Sequence, residues 1–197
     1  MESLHEISKG SFIFEKKLAL KPTECHSMVR LFESREDLQS QGQIQTLNGP
    51  EIDLDIKNSV DTFVDPTQGP LWESTDELIY SSLALAITEL AEIYEAFNLE
   101  VPCGDSGYQI QRTPVGGGYS PHIDDLGFGC NRFITALWYL NDNYDGGETE
   151  FIYQGISIKP EIGKLILFPP WWTHLHTGRK VTKGKKYICT TWLNYAG

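Results

Sequence analysis

Before residue 100 the apolar positions recur every three or four places; after it they recur every second place. Met28, Val29, Leu31, Phe32 and Leu38 give near-helical spacing from Pro22 to about Gln39. Ser74 to Asn98 has the stronger stripe, formed by Ile79, Leu83, Ile87, Leu90, Tyr94 and Phe97, behind a Ser74-x-x-Glu77 capping-box pattern. That stripe predicts a helix packed on a core. Residues 41–70, between the helices, are polar and rich in Gly, Pro and Asp. They predict a long irregular segment, of the kind that forms lids and binding loops. YQIQRT (108–113), RFITALWYLN (132–141), TEFIY (149–153), ISI (156–158), KLILFP (164–169) and KYICTTWLNY (186–195) read as strands, with turn chemistry at NDNYDGG, Gly155, PEIG and PP. Many short strands without intervening helices predict a β-sandwich or jelly roll. The chain thus reads as mainly β with supporting helices, one domain over residues 1–197. Residues 1–100 would supply the helical support and the irregular loop, and residues 101–197 the β core.

Composition narrows the function classes. With 40% hydrophobic and 22% charged residues the chain has enough apolar content for a packed core. Its formal net charge of -11 argues against nucleic acid or an anionic membrane as the main partner. Cys25, Cys103, Cys130 and Cys189 include no CxxC, which points away from a zinc framework or disulfide scaffold and towards free thiols in a reducing compartment. The first residues lack the basic-then-apolar order of a signal peptide, and no apolar run approaches ~18 residues. The expectation is a cytoplasmic protein with neither a membrane nor a nucleic-acid partner. Its oligomeric state is not specified.

The candidate chemistry begins at PHIDD (121–125), just after Gly116-Gly117-Gly118. In an extended segment, residues i and i+2 share a face, so His122 and Asp124 can aim two ligand atoms at one point. The alternative is two polar residues on a solvated loop. Two histidines and a carboxylate form the facial triad of non-haem Fe(II) oxygenases, and zinc hydrolases use the same residue types. His5 and His26 fit surface or packing roles. His174 and His176, in PPWWTHLHTG, are again two apart, and one of them could be the third ligand.

From Tyr108 to Trp192 the chain resembles the 2-oxoglutarate- and Fe(II)-dependent dioxygenases, in particular their prolyl 4-hydroxylase-like branch. The resemblance rests on YSPHID (119–124), RFITALWYLN (132–141), GGETEF (146–151), KPEIGKLILF (159–168) and HTGRKVTKGKKY (176–187), in the family's order and spacing. It implies a double-stranded β-helix (jelly roll, cupin-like) core. It also implies Fe(II), 2-oxoglutarate and O2, with ascorbate as an auxiliary reductant. In the family a basic residue follows the distal histidine by ten positions. That spacing selects His176 with Lys186 and leaves His174 in reserve, so the implied catalytic and metal set is His122, Asp124 and His176. Asp124 favours hydroxylation, because halogenase relatives replace this carboxylate with a small residue.

Lys186, Thr190 and Trp192 share one face of a predicted strand. By resemblance Lys186 pairs with the distal carboxylate of 2-oxoglutarate, helped by Thr190, Tyr139 and Thr149. Read without it, Lys186 is a surface lysine, Tyr139 a core aromatic on a face with Phe133, Thr135 and Leu137, and Thr149 a turn residue. Tyr119, Arg132 and Trp192 match positions that line the family's substrate groove; their plainer roles are strand packing, a salt bridge and a core aromatic. Trp171 and Trp172, before the histidines, are expected either to wall the entrance or to serve as packing residues. Thr113 departs from the pattern, standing where the prolyl branch often has a tyrosine. The implied reaction is hydroxylation of an unactivated C–H, coupled to decarboxylation of 2-oxoglutarate to succinate and CO2. The substrate would be a peptidyl proline. The alternatives are an oxygenase of a free amino acid or other small metabolite and, in a different class, an inactive β-helix binding domain.

Overall fold

The computed structural model describes residues 2–95, 97, 102–125 and 131–195. Two helices are prominent: α1 (Pro22–Glu33) and α2 (Pro70–Ile93). α1 stops short of Gln39, and a separate 3-10 turn covers Glu36–Leu38. α2 starts four residues before the capping-box pattern, with Pro70 at its first position, where a fixed φ and a missing N–H cost nothing. Ser74 and Thr75 therefore lie inside the helix, and both hydroxyls donate to Leu71 O, at 3.1 and 2.7 Å. Asn98, the expected end of this helix, and Cys130 lie outside the described residues. Among the described residues no helix is long and apolar enough to cross a membrane.

Among the described residues, nine strands form the larger sheet. Along its main path they run His5–Glu6, Phe14–Lys16, Leu165–Phe168, Arg132–Tyr139, Lys186–Tyr195, Gln109–Thr113, Val60–Phe63 and Ser40–Gln41, with Cys103–Asp105 also on Lys186–Tyr195. A four-stranded sheet runs Ile156–Ile158, Thr149–Phe151, His176–Gly178, Tyr119–His122. All pairings within these two sheets are antiparallel. Among the described residues the outer strands of the large sheet, His5–Glu6 and Ser40–Gln41, do not pair with each other, and the two sheets share no strand.

This corrects the expected fold class. The protein is a mixed α/β fold dominated by antiparallel sheets that are neither closed into a barrel nor strongly curled, in place of a double-stranded β-helix or jelly roll. Period-two alternation tells which side chains share a face. It does not tell where a sheet ends, and here short strands before residue 100 extend the large sheet outward. The 41–70 segment is correspondingly less irregular than expected: Val60–Phe63 is a strand of that sheet, and Ile44–Thr46 pairs with Gly49–Glu51 as a small hairpin.

The central strands are buried on both faces, which explains their nearly continuous apolar runs. Ala136, Trp138, Leu165, Leu167 and Cys189 join α1 and α2 in one core. Leu137, Tyr139, Ile166, Phe168 and Ile188 pack on the opposite side with Phe151 and Ile158 of the small sheet. Trp138 ties sheet to helix, its Nε1 donating to Ser82 Oγ at 3.0 Å. One parity expectation fails. A register shift between Arg132 and Ile134 puts Phe133 in the helix-side core and leaves Arg132 beside the cavity, so Tyr139 shares its face with Thr135 and Leu137 but not with Phe133.

Candidate metal centre

The register of the small sheet builds the site. His176 pairs directly with His122 across antiparallel strands. Asp124 follows two residues later, its backbone N–H held by Pro170 O at 3.0 Å. Asp124 Oδ1 lies 3.5 Å from His122 Nε2 and 3.8 Å from His176 Nε2. One ligand atom from each residue falls within 4.8 Å of the others. The second carboxylate oxygen, Oδ2, accepts from Thr135 Oγ1 at 2.7 Å, which leaves Oδ1 facing the histidines.

Both imidazoles are held through their other nitrogen. His122 Nδ1 meets Ser120 O at 2.8 Å, and His176 Nδ1 meets His174 O at 2.9 Å. A carbonyl only accepts, so each Nδ1 carries the proton and each Nε2 lone pair is free for a metal. Burial and the neighbouring His122 push His176 down to about 4, keeping it neutral, as a ligand must be. Burial acts to raise Asp124, but the His176 and His122 imidazoles and the Thr135 hydroxyl outweigh it, and the carboxyl stays well below its usual range. The donor set therefore fits a divalent metal bound on one face. Replacing Thr135 with valine keeps the shape and frees Asp124 Oδ2; metal affinity should fall by roughly ten- to a hundredfold, read by equilibrium dialysis.

His174 is directed elsewhere. Its Nε2 meets Ser11 O and its Nδ1 meets Thr173 Oγ1, both at 2.9 Å. Its side chain ties the 3-10 turn Trp172–His174 to the N-terminal segment, and only its backbone carbonyl serves the site.

A cavity of about 770 Å³ opens from the triad and takes in Lys186, Thr190, Thr149, Tyr119, Arg132 and Trp192. Lys186 is buried, and its Nζ donates to Gly147 O at 2.7 Å. No carboxylate among the described residues lies within ion-pair distance of it. Burial lowers its ammonium to about 8, with Glu148 opposing the shift. A buried cation with no carboxylate partner among the described residues, in the cavity that holds the triad, can pair with an incoming anionic group. Gly147 sits against the lysine stem at φ +69, where an added Cβ would come within 3.3 Å of Lys186 Cδ and 2.9 Å of Tyr144.

Tyr139 is fully buried and gives its hydroxyl to Thr149 Oγ1 at 2.7 Å, with its ring centroid 5.7 Å from Lys186 Nζ. Thr190 Oγ1 accepts from Gln111 Nε2 at 3.0 Å. Thr113 pairs with Lys186 across the sheet and lines the same cavity. Tyr119 stacks on His122, with centroids 3.5 Å apart and planes 14° from parallel. The Arg132 guanidinium lies 3.9 Å above the Trp192 ring and donates to Asp124 O. Trp192 Nε1 is buried without a partner among the described residues. Trp172, 73% exposed, flanks the cavity mouth, whereas Trp171 turns its Nε1 to Arg132 O at 3.2 Å.

Residues 108–194 match the 2OG-Fe(II) oxygenase superfamily. Over these 87 of 197 residues the chain is similar to that superfamily, and it is related in sequence to prolyl 4-hydroxylases. It is 26% identical to "Prolyl 4-hydroxylase 1" of Arabidopsis thaliana over 207 residues, 88% of this chain and 65% of that one. It is 33% identical to "Prolyl 4-hydroxylase subunit alpha-1" of Gallus gallus over 107 residues, 45% of this chain and 20% of that one. The chain thus spans less than two thirds of these relatives. The fold is shared with a prolyl hydroxylase in complex with a hypoxia inducible factor oxygen degradation domain peptide fragment from Trichoplax adhaerens, at TM-score 0.76 and 18% identity, covering 94% of this chain and 84% of that one. It is also shared with the viral collagen prolyl hydroxylase of Paramecium Bursaria Chlorella virus-1, at TM-score 0.67 and 18% identity, covering 98% of this chain and all of that one. The His122, Asp124 and His176 triad sits on this fold.

The sequence reading missed one part of the cavity wall. Lys57, Ser59 and Asp61, from the supposedly irregular segment, are buried and line the cavity together. The spacing K-x-S-x-D over an extended stretch is the only signal the sequence carries for them.

Proposed function

We propose that the protein is an Fe(II)- and 2-oxoglutarate-dependent dioxygenase that hydroxylates a prolyl residue of a peptide or protein. One observation carries the reading. A two-histidine, one-carboxylate set and a buried lysine with no carboxylate partner among the described residues share a single cavity.

His122 and His176 would present fixed Nε2 donors, and Asp124 would present Oδ1 while Thr135 holds its other oxygen. Lys186 would hold the distal carboxylate of 2-oxoglutarate beside Thr190 and the Tyr139–Thr149 pair. Bound there, Fe(II), 2-oxoglutarate and O2 supply oxidising chemistry in which the co-substrate leaves as succinate and CO2 while one oxygen atom enters a substrate C–H. Tyr119 would keep the His122 ring in place by stacking. Arg132, resting on Trp192 and bonded to Asp124 O, lines the cavity and would contact the substrate there.

A peptide is favoured by the cavity mouth, where exposed Trp172, Tyr153 and Phe63 offer aromatic surface. An extended proline-rich segment has little conformational entropy to lose on such a surface. The test is incubation with Fe(II), 2-oxoglutarate and ascorbate alongside proline-rich peptides, free proline and other free amino acids, read by mass spectrometry. A peptide gaining the mass of one oxygen atom supports the reading. Oxygen gained only by a free amino acid refutes the peptide and leaves the dioxygenase; succinate formed with none of them refutes both substrates.

A further inference from the structure

The cavity wall facing Tyr119 carries charges that the metal and co-substrate do not use. Lys57 and Asp61 are 6% and 3% exposed, and Lys57 Nζ donates to Asp61 Oδ2 at 2.7 Å. Ser59 Oγ donates to Asp61 Oδ1, also at 2.7 Å, so both carboxylate oxygens are occupied. Gly42 closes over the cluster. A Cβ there would come within 2.3 Å of Ser59 Oγ and 3.1 Å of both Asp61 Oδ2 and Lys57 Cε, so the backbone approach depends on glycine.

The cluster is registered to the metal centre. Lys57 forms an antiparallel bridge with Tyr119, Ser120 N donates to Ile56 O at 2.8 Å, and Asn58 N donates to Gly118 O at 3.0 Å. Lys57 Nζ lies 5.6 Å from the Tyr119 ring centroid, and Tyr119 stacks directly on His122. An ammonium has three N–H donors. Among the described residues only Asp61 accepts from this one, and the cavity is where the remaining donors can be used.

We infer that Lys57 is a substrate-binding residue that donates to an amide carbonyl of the bound peptide, with Asp61 and Ser59 holding it in place. The inference rests on the peptide reading and specifies which substrate group is recognised. The charge balance selects the acceptor. Asp61 already neutralises Lys57, so the pair offers N–H donors with no net charge to offset an incoming carboxylate. A neutral amide oxygen fits such a pair better than the carboxylate of a free amino acid.

The experiment compares wild type, K57R, K57M and the double variant K57M/D61N on proline-rich peptides. K57M alone leaves Asp61 buried and unpaired and so invites misfolding; the double variant removes both charges together. With K57M/D61N the peptide KM should rise about ten- to a hundredfold. K57R, which keeps the donors, should recover part of that loss. Affinity for 2-oxoglutarate, measured by calorimetry on the Mn(II)-loaded protein, tells a local effect from a damaged fold. A peptide KM in K57M/D61N within twofold of wild type overturns the assignment while the peptide reading stands. A parallel loss of 2-oxoglutarate affinity and melting temperature in K57M/D61N, without rescue by K57R, also overturns it and makes the pair structural. A wild-type enzyme that oxidises only free amino acids overturns both readings.

Discussion

Alanine at His122, Asp124 or His176 is expected to reduce turnover to background and to remove most of the metal-binding capacity. Each residue supplies one of three ligand atoms, and all three lie within 4.8 Å of one another, so none can be replaced by a neighbour. Asp124→Ala does further damage, because it strands the Thr135 hydroxyl and leaves two imidazoles with no adjacent negative charge. His174→Ala is the control. The contribution of His174 to the site is its backbone carbonyl, so the alanine variant should still bind metal. Dialysis against Fe(II) under anaerobic conditions separates the outcomes: a metal-binding H176A beside a metal-free H174A would contradict the assigned triad.

The second large effect belongs to Lys186. Lys186→Ala should raise the KM for 2-oxoglutarate by roughly ten- to a hundredfold, the value of a lost hydrogen bond to a charged group at about 1.5–3 kcal/mol, and should change metal affinity far less. The pH dependence follows from the same burial. In the free enzyme burial lowers the lysine to about 8. A carboxylate binds the protonated form, so co-substrate affinity should be full below about pH 8 and weaken as pH rises through it. Binding should be accompanied by proton uptake above that pH, which calorimetry in buffers of different ionisation enthalpy would register. An affinity independent of pH between about 7 and 9 would mean that Lys186 does not contact the carboxylate.

Much of this site was legible because strands have a short, rigid period. Alternation alone put His122 and Asp124 on one face, and Lys186 with Thr190 and Trp192 on another, and these residues do line one cavity. The choice of His176 over His174 was not legible from spacing, since both fit i, i+2; it came from resemblance. In the structure the distinction is physical: His174 is satisfied by Ser11, a residue 163 positions away. Long-range pairing likewise hid the Lys57–Asp61 wall, whose place depends on Val60–Phe63 joining Gln109–Thr113. Phe133 was assigned to the wrong face because a register shift changes parity without changing composition. The start of α2 was misplaced because Ser74 has the residue types of a cap, while Gly69 and Pro70 turn the chain earlier. The fold class failed for a related reason. Strand patterns mark faces but leave sheet edges unspecified, and the jelly roll needed a closure that these edges do not make.

The most direct test of the account is a stoichiometry. With Fe(II), 2-oxoglutarate, O2 and a proline-rich peptide, succinate and hydroxylated peptide should accumulate together in a one-to-one ratio, and both should vanish in the Asp124→Ala enzyme. Metal-loaded wild-type protein that binds 2-oxoglutarate yet forms neither succinate nor oxidised peptide, across the peptide and amino-acid panel, would contradict it.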